Sequence, residues 1–335
     1  MKGINKRRLV IISVISGAVV LAGVILLVLY FLALKTPKEE NTVRKRRVTL
    51  YSSLKTSQLE KIENHYEKIN PDIDLVFYSS GSSSLIQLVE EESRMENAVC
   101  DVLWCAEPYG YLSLIEKKIL MPLDLSAFPD LPHFDTDGEE CMAVARLISV
   151  GLAVNTSVYG ENAPRTFAEL QECSDVVIPD PYSSGSSLYT VTVLAEEYGW
   201  AYFTALRENG AEVVNGSSAS LYRVCDGNGG VTIAPEYLVL SAENMGKSVR
   251  YISPEDISVT IPSPIAVING CANPGDAMDF VSFILSDSGQ ALLYSIDIIP
   301  ARGVYSSSDV LLYTVPDEKD TISGFDRVFV DQRGR

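Results

Sequence analysis

Histidine is almost missing from this chain: His65 and His133 are the only two among 335 residues. Neither lies in an H-E-x-x-H run, and no G-x-S-x-G elbow or G-x-x-x-x-G-K-[ST] loop occurs anywhere. Zinc hydrolysis, serine acyl transfer and P-loop nucleotide hydrolysis each need one of those arrangements. The chain therefore reads as a non-enzyme. Zinc-binding cysteine is missing too. Cys100, Cys105, Cys141, Cys173, Cys225 and Cys271 are scattered, with no knuckle spacing and no histidine near the closest two. Disulfides and buried free thiols both remain open.

Positive charge is scarce outside the N-terminus. Residues 1–47 carry ten Lys/Arg and two Glu, which leaves 17 basic against 42 acidic residues beyond Arg47, a net charge of −25. A region that acidic avoids nucleic acid and anionic lipid. Its partners are small solutes or a protein dock, and no cofactor is expected.

A lipoprotein cysteine is also lacking. Leu21-Ala22-Gly23 opens like a lipobox, but Val24 stands where the lipidated cysteine is required. What is there instead is a run of 26 uncharged, mostly apolar residues from Leu9 to Leu34. As a helix rising ~1.5 Å per residue it covers roughly 39 Å, more than the ~30 Å hydrocarbon core. A cleavable signal has a shorter apolar region. The expectation is an uncleaved anchor in the lipid bilayer at 9–34, with a cytoplasmic 1–8 and a polar tether at 35–47. Basic residues flank the run on both sides, so charge alone does not orient it.

Beyond the tether, strand and helix patterns alternate, which implies parallel strands with helical crossovers. Strands are expected at 48–52, 73–78, 101–104, 147–155, 176–179 and 231–234. Helical periodicity runs over 57–68, with Leu59, Ile62 and Tyr66 on one face, and over 82–95, 188–198, 200–209, 274–285 and 288–294. The segment Ile261-Pro-Ser-Pro-Ile-Ala-Val-Ile is extended and, because of its prolines, expected at a sheet edge.

Two loops share one design. Phe77-Tyr-Ser-Ser-Gly-Ser-Ser-Ser-Leu and Asp180-Pro-Tyr-Ser-Ser-Gly-Ser-Ser-Leu each follow a strand and open a helix. Ser80, Gly81, Ser82 and Ser83 in one, with Ser184, Gly185, Ser186 and Ser187 in the other, place hydroxyls and free N–H groups at positive helix ends. Facing each other across a cleft, they could hold an anion without net positive charge. Simple capping serines are the plainer alternative. Tyr51, Ser52, Ser53, Trp104, Glu107 and Tyr237 also stand at strand ends, where ligands of open α/β sheets sit.

Val48-Thr-Leu-Tyr-Ser-Ser, Asp101-Val-Leu-Trp-Cys-Ala-Glu-Pro, Gly151-Leu-Ala-Val-Asn-Thr and Ala163-Pro-Arg-Thr-Phe-Ala-Glu-Leu resemble family 1-type extracellular solute-binding proteins. So does the segment from Asn273-Pro-Gly through Ser286-Asp-Ser-Gly-Gln-Ala-Leu-Leu to Ile299-Pro-Ala-Arg. The likeness runs in order from Val48 to Arg302 and is strongest to the branch that binds ferric ion, phosphonates or sugar phosphates. It implies a type II periplasmic-binding fold: two α/β lobes, 48–147 with 263–335 and 148–262, closing on ligand about a hinge. It implies an extracytoplasmic domain that hands a small molecule to an ABC permease.

The iron branch carries paired tyrosines at the position of Glu236-Tyr237. Here Tyr237 is followed by Leu238, and Leu54-Lys55-Thr56 replaces the His or Glu that many iron binders carry after the first strand. Tyr237 and Glu236 are the metal ligands if iron is the cargo. A phosphonate or sugar phosphate suits the serine loops better. A ligand-sensing lobe for a membrane partner is the rival role.

Overall fold

The structure is a computed structural model that describes residues 45–134, 140–302, 312–313 and 318–330. The expected anchor at 9–34, its 1–8 flank and the tether up to residue 44 lie outside the described residues. Among the described residues, no helix is long and apolar enough to cross a membrane.

The first strand starts two residues inside the expected tether. Strand β1 (Arg46–Ser52) alternates into the core and leads to helix α1 (Thr56–Ile69). Gln58, Leu59, Ile62 and Tyr66 form its buried stripe, at the expected helical spacing. Strand β2 (Ile73–Ser79), helix α2 (Ser82–Arg94), strand β3 (Val102–Trp104) and helix α3 (Tyr109–Glu116) follow. After the short β4 (His133–Phe134) comes the long β5 (Ala143–Asn155), then the one-turn α4 (Thr156–Tyr159).

The second half repeats the alternation. Its members are β6 (Val176–Pro179), α5 (Gly185–Tyr198), α6 (Trp200–Glu208), β7 (Glu212–Val214), α7 (Ser217–Cys225), β8 (Val231–Pro235) and α8 (Glu236–Asn244). Strands β9 (Val249–Ile252) and β10 (Val259–Val267) precede α9 (Pro274–Leu285), α10 (Asp287–Ser295) and β11 (Ile299–Pro300). The pair β12 (Leu312–Tyr313) and α11 (Glu318–Phe329) ends the described chain.

The sheet order is β2-β1-β3-β10-β5-β8-β6-β7. Read inward from each end, it runs second, first and third strand of a half, then a long antiparallel strand: β2-β1-β3-β10 and β7-β6-β8-β5. Among the described residues there are three hydrophobic cores: a small one around Val177, Leu221 and Val224 on the second half, and two larger ones, one on each half. One holds Val48, Trp104, Leu147, Ile265 and Phe280, and the other Ile148, Leu152, Phe167, Phe203 and Ile261. Both long strands contribute to both larger cores, and the hand-over falls at Leu147/Ile148 and between Ile261 and Ile265.

The prolines of β10 do not make it an edge. It lies between β3 and β5, pairing Ile265 with Trp104 and Ile261 with Ile148. A register shift between Ser263 and Pro264 absorbs the missing donors, since a bulge tolerates proline within a sheet. Residues 318–329, grouped by the sequence reading with the first lobe, pack instead on the second core. Phe325, Val328 and Phe329 are buried there, Thr321 Oγ1 lies 2.8 Å from Thr192 Oγ1, and a Cβ at Gly324 would lie 2.1 Å from the Trp200 ring.

The C-terminal motif has a physical reason. Ser286 caps α10 by accepting from Gly289 N at 3.2 Å, and any Cβ at Gly289 would fall 2.0 Å from Phe283 O. Gln290, buried, donates to Ala145 O and Ile284 O and accepts from Ala301 N at 2.7 Å and Arg302 N at 3.2 Å. Arg302 then pairs with Asp130 and Asp287. All six cysteines are free thiols, four of them buried.

Candidate binding site

Six helices start at the carboxyl ends of six parallel strands of the main sheet: α1, α2 and α3 after β1, β2 and β3, and α5, α7 and α8 after β6, β7 and β8. Such ends present free N–H groups and partial positive charge. Three contacts join the two sets. A Cβ on Gly81 would lie 3.9 Å from Ser183 O, and one on Gly185 would lie 2.1 Å from Glu107 Cγ. Lys55, capping α1, reaches Tyr237 O at 3.5 Å and sets its ammonium 5.1 Å from the Tyr237 ring centroid. Burial draws the Lys55 amine below its ordinary value, against an opposing pull from Asp297.

The two serine loops do adjoin, at Gly81 and Ser183. In the second, Ser184 caps α5 by accepting from Ser187 N. The hydroxyls of Ser184, Ser186 and Ser217 form a triangle with sides of 2.8 Å to 3.1 Å. Ser217 opens α7 behind Gly216, whose φ of +85° suits glycine. Sequence reading missed Ser217, although Asn215-Gly216-Ser217 carries the same strand-to-helix signal. In the first loop, Ser82 Oγ accepts from Ala106 N at 3.2 Å, Ser80 is half-buried and Ser83 is exposed. Ser187 donates to Pro179 O.

Most of the other predicted residues also make contacts within the fold. The Tyr51 hydroxyl donates to Glu92 Oε1 at 2.6 Å within the first core. Burial first, then the Glu92 carboxylate, raises its pKa. Ser52 Oγ donates to Trp104 O at 2.8 Å and accepts from Leu54 N. Trp104 is fully buried. Glu107, also buried, accepts from Tyr109 N at 2.6 Å. Ser53 Oγ and Trp104 Nε1 are buried without a hydrogen-bond partner.

Arg146 is the residue that sequence reading overlooked. It sits in β5 where the two cores meet, pairing with Ser263 of β10 and Pro300 of β11. It is 3% exposed. Its Nε donates to Ser263 Oγ at 3.2 Å, its Nη2 has no partner, and its Cζ lies 5.9 Å from the Tyr237 ring centroid. Burial pulls its pKa down. Burial raises that of Tyr237, against the nearby guanidinium, and that of Glu236. Among the described residues, no group of three or more His, Cys, Asp or Glu is arranged to hold a metal.

A cavity of about 270 Å³ lies elsewhere, at the opposite ends of β6 and β7, lined by Asp175, Val177, Glu212 and Gly229. It includes none of the expected site residues. Position relative to the strand carboxyl ends is the better guide in α/β sheets, and that favours the residues at the strand ends.

An α/β sheet of this strand order, with two long antiparallel strands between its halves, is the periplasmic-binding-protein fold. Residues 48–295 match the family of bacterial extracellular solute-binding proteins, and the chain belongs to that family. Its members bind solutes for transport rather than catalyse, and membership implies an extracytoplasmic domain. The fold is similar to iron-bound HitA from Pseudomonas aeruginosa, at 17% identity and a TM-score of 0.71 over 85% of this chain and 99% of that one. It is similar to AfuA from Actinobacillus pleuropneumoniae with fructose-6-phosphate bound, at 18% and 0.71 over 84% and 98%. A periplasmic thiamin binding protein gives 14% and 0.69 over 87% and 98%. One fold thus carries three unlike ligands, so the ligand must be argued from the site. No curated protein matches the chain.

Proposed function

We propose that this chain is the substrate-binding component of an ABC importer. It captures a small anionic solute, a phosphonate, sugar phosphate or similar compound, between two lobes of the type II arrangement and delivers it to a membrane permease. The lobes are residues 48–147 with 263 onward, less the terminal helix α11, and 148–262. The apolar run at 9–34 tethers them to the outer face of the membrane.

The observation that carries this reading is the meeting of helix N-termini from both halves at Gly81/Ser183 and Glu107/Gly185. Oriented N–H groups and serine hydroxyls there can satisfy an oxyanion without a surplus of cations, which fits an acidic domain. Ferric iron is the weaker cargo, because Lys55 and Arg146 both stand near the ring of Tyr237 and repel a trivalent cation.

The test is a thermal-shift panel on the full-length protein with phosphate, phosphonates, sugar phosphates and ferric citrate. A ligand at 100 times its Kd adds ~2.7 kcal/mol of stability, so a phosphorylated compound raises Tm by several degrees. A shift with ferric salts alone, abolished in Tyr237→Phe, refutes the anion reading.

A further inference from the structure

Arg146 poses a problem that the fold alone leaves open. Burying a cation without a counter-charge costs several kcal/mol, and buried donors without partners are rare enough to need a reason. This guanidinium is 3% exposed and leaves Nη2 unbonded. The groups acting on it electrostatically are the neutral side chains of Tyr237, Cys105 and Tyr111. Among the described residues, no carboxylate pairs with it. Both edges of its strand are occupied, by Ser263 and Pro300, so it is fixed in the sheet where the two cores meet.

Its surroundings point the same way. Across the sheet, Ser263 Oγ donates to Cys105 O, next to Trp104, whose carbonyl accepts from Ser53 N at 3.1 Å. Trp104 Nε1 and Ser53 Oγ are the other two buried, unpartnered groups on these strand ends, and like Arg146 they can donate. Lys55 stands over the same tyrosine ring as Arg146.

We propose that Arg146 is the ligand-selecting residue of the interlobe site. Its free Nη2 receives an oxyanion of the solute (carboxylate, phosphonate or phosphate monoester), and Lys55 adds a second positive charge. The assignment rests on the reading of the interlobe cleft as the capture site. The ligand completes the hydrogen bonding that the empty protein leaves unmade, so the buried charge is tolerated for binding at the expense of stability.

The test compares full-length wild type, Arg146→Met and Arg146→Lys by calorimetry and thermal melts. The probes are inorganic phosphate, 2-aminoethylphosphonate, fructose 6-phosphate, citrate and, as a neutral control, glucose. At least one oxyanion binds wild type, and Arg146→Met weakens it roughly 100-fold, as for loss of one partner of a buried charged pair. Arg146→Lys keeps the charge but not the planar fork and retains intermediate affinity. Without ligand, Arg146→Met melts no lower than wild type, because an unpaired buried charge has gone.

Anion affinity in Arg146→Met equal to that of wild type overturns the assignment. So does a wild type indifferent to every oxyanion, or an Arg146→Met that unfolds, which would make the residue structural. Glucose bound equally by wild type and Arg146→Met, but lost in Gly185→Ala, sinks the assignment and leaves the cleft reading standing. An oxyanion that Arg146→Met loses but Gly185→Ala binds at wild-type strength counts against the cleft reading instead.

Discussion

Replacing Gly185 by alanine tests whether the two halves close on each other at the strand ends. The new Cβ would sit 2.1 Å from Glu107 Cγ and 3.1 Å from its Oε1, whereas unstrained carbon contacts need about 3.5–4.0 Å. Either Glu107 swings away or the halves stay apart by roughly 1.5 Å, the difference between those distances. Swinging away breaks the hydrogen bond that Glu107 accepts from Tyr109 N at 2.6 Å. A hydrogen bond to a charged group contributes about 1.5–3 kcal/mol. If the contact forms only on closure, that cost falls on the closed form and ligand affinity drops roughly 10- to 150-fold, while the open form loses nothing. Gly185 has no positive φ, so alanine there stabilises by about 0.4–1 kcal/mol through the unfolded chain. Titration calorimetry with the ligand found in the panel, beside melts of the ligand-free protein, reads both effects. Affinity should fall while Tm holds or rises. Unchanged affinity would mean that the bound form never makes this contact. A fall in ligand-free Tm would make it permanent packing rather than closure.

Gln290→Ala should cost about 3 kcal/mol, because it strands Ala145 O, Ile284 O and Ala301 N without partners in a buried site. Urea midpoints measure it, and a loss under 1 kcal/mol would remove the motif from the stability argument. Asp256 predicts an acid limb. Burial alone would raise its pKa, but the Tyr198 hydroxyl and the N–H groups of Ala168, Phe167 and Ile257 outweigh that and hold it below the ordinary carboxylate value. A depressed folded pKa stabilises the protein above the unfolded value of about 3.9 and is lost as pH falls through the folded value. Asp256→Asn should therefore lower the neutral-pH urea midpoint and flatten its decline below about pH 4; an unaltered slope refutes the assignment.

Local patterns were legible because their causes are local. The stripe of Leu59, Ile62 and Tyr66 defined α1 through its 3.6-residue period. The Ser-Ser-Gly-Ser segments marked strand-to-helix junctions through their turn chemistry, and both fall where β2 meets α2 and β6 meets α5. For Tyr51 and Trp104, named as ligand candidates, local pattern could not give the packing, for the converse reason. A strand end exposes a side chain only if nothing packs on it, and Glu92 and the first core cover these two.

From the sequence alone came the αβ alternation, the acidity beyond Arg47 and the uncharged run at 9–34, each of which rests on periodicity, composition or spacing within a few tens of residues. The solute-binding reading and the weight given to the terminal Gly-Gln…Ile-Pro-Ala-Arg motif came from resemblance to a family. Only the tertiary structure put β10 in the middle of the sheet, carried α11 onto the second core and brought Gly185 against Glu107. It alone isolated Arg146, a residue that in sequence interrupts an apolar strand. Strand neighbours, and the partners a buried charge lacks, depend on pairings between residues more than a hundred positions apart, as Arg146 and Ser263 are. No local pattern records such pairings.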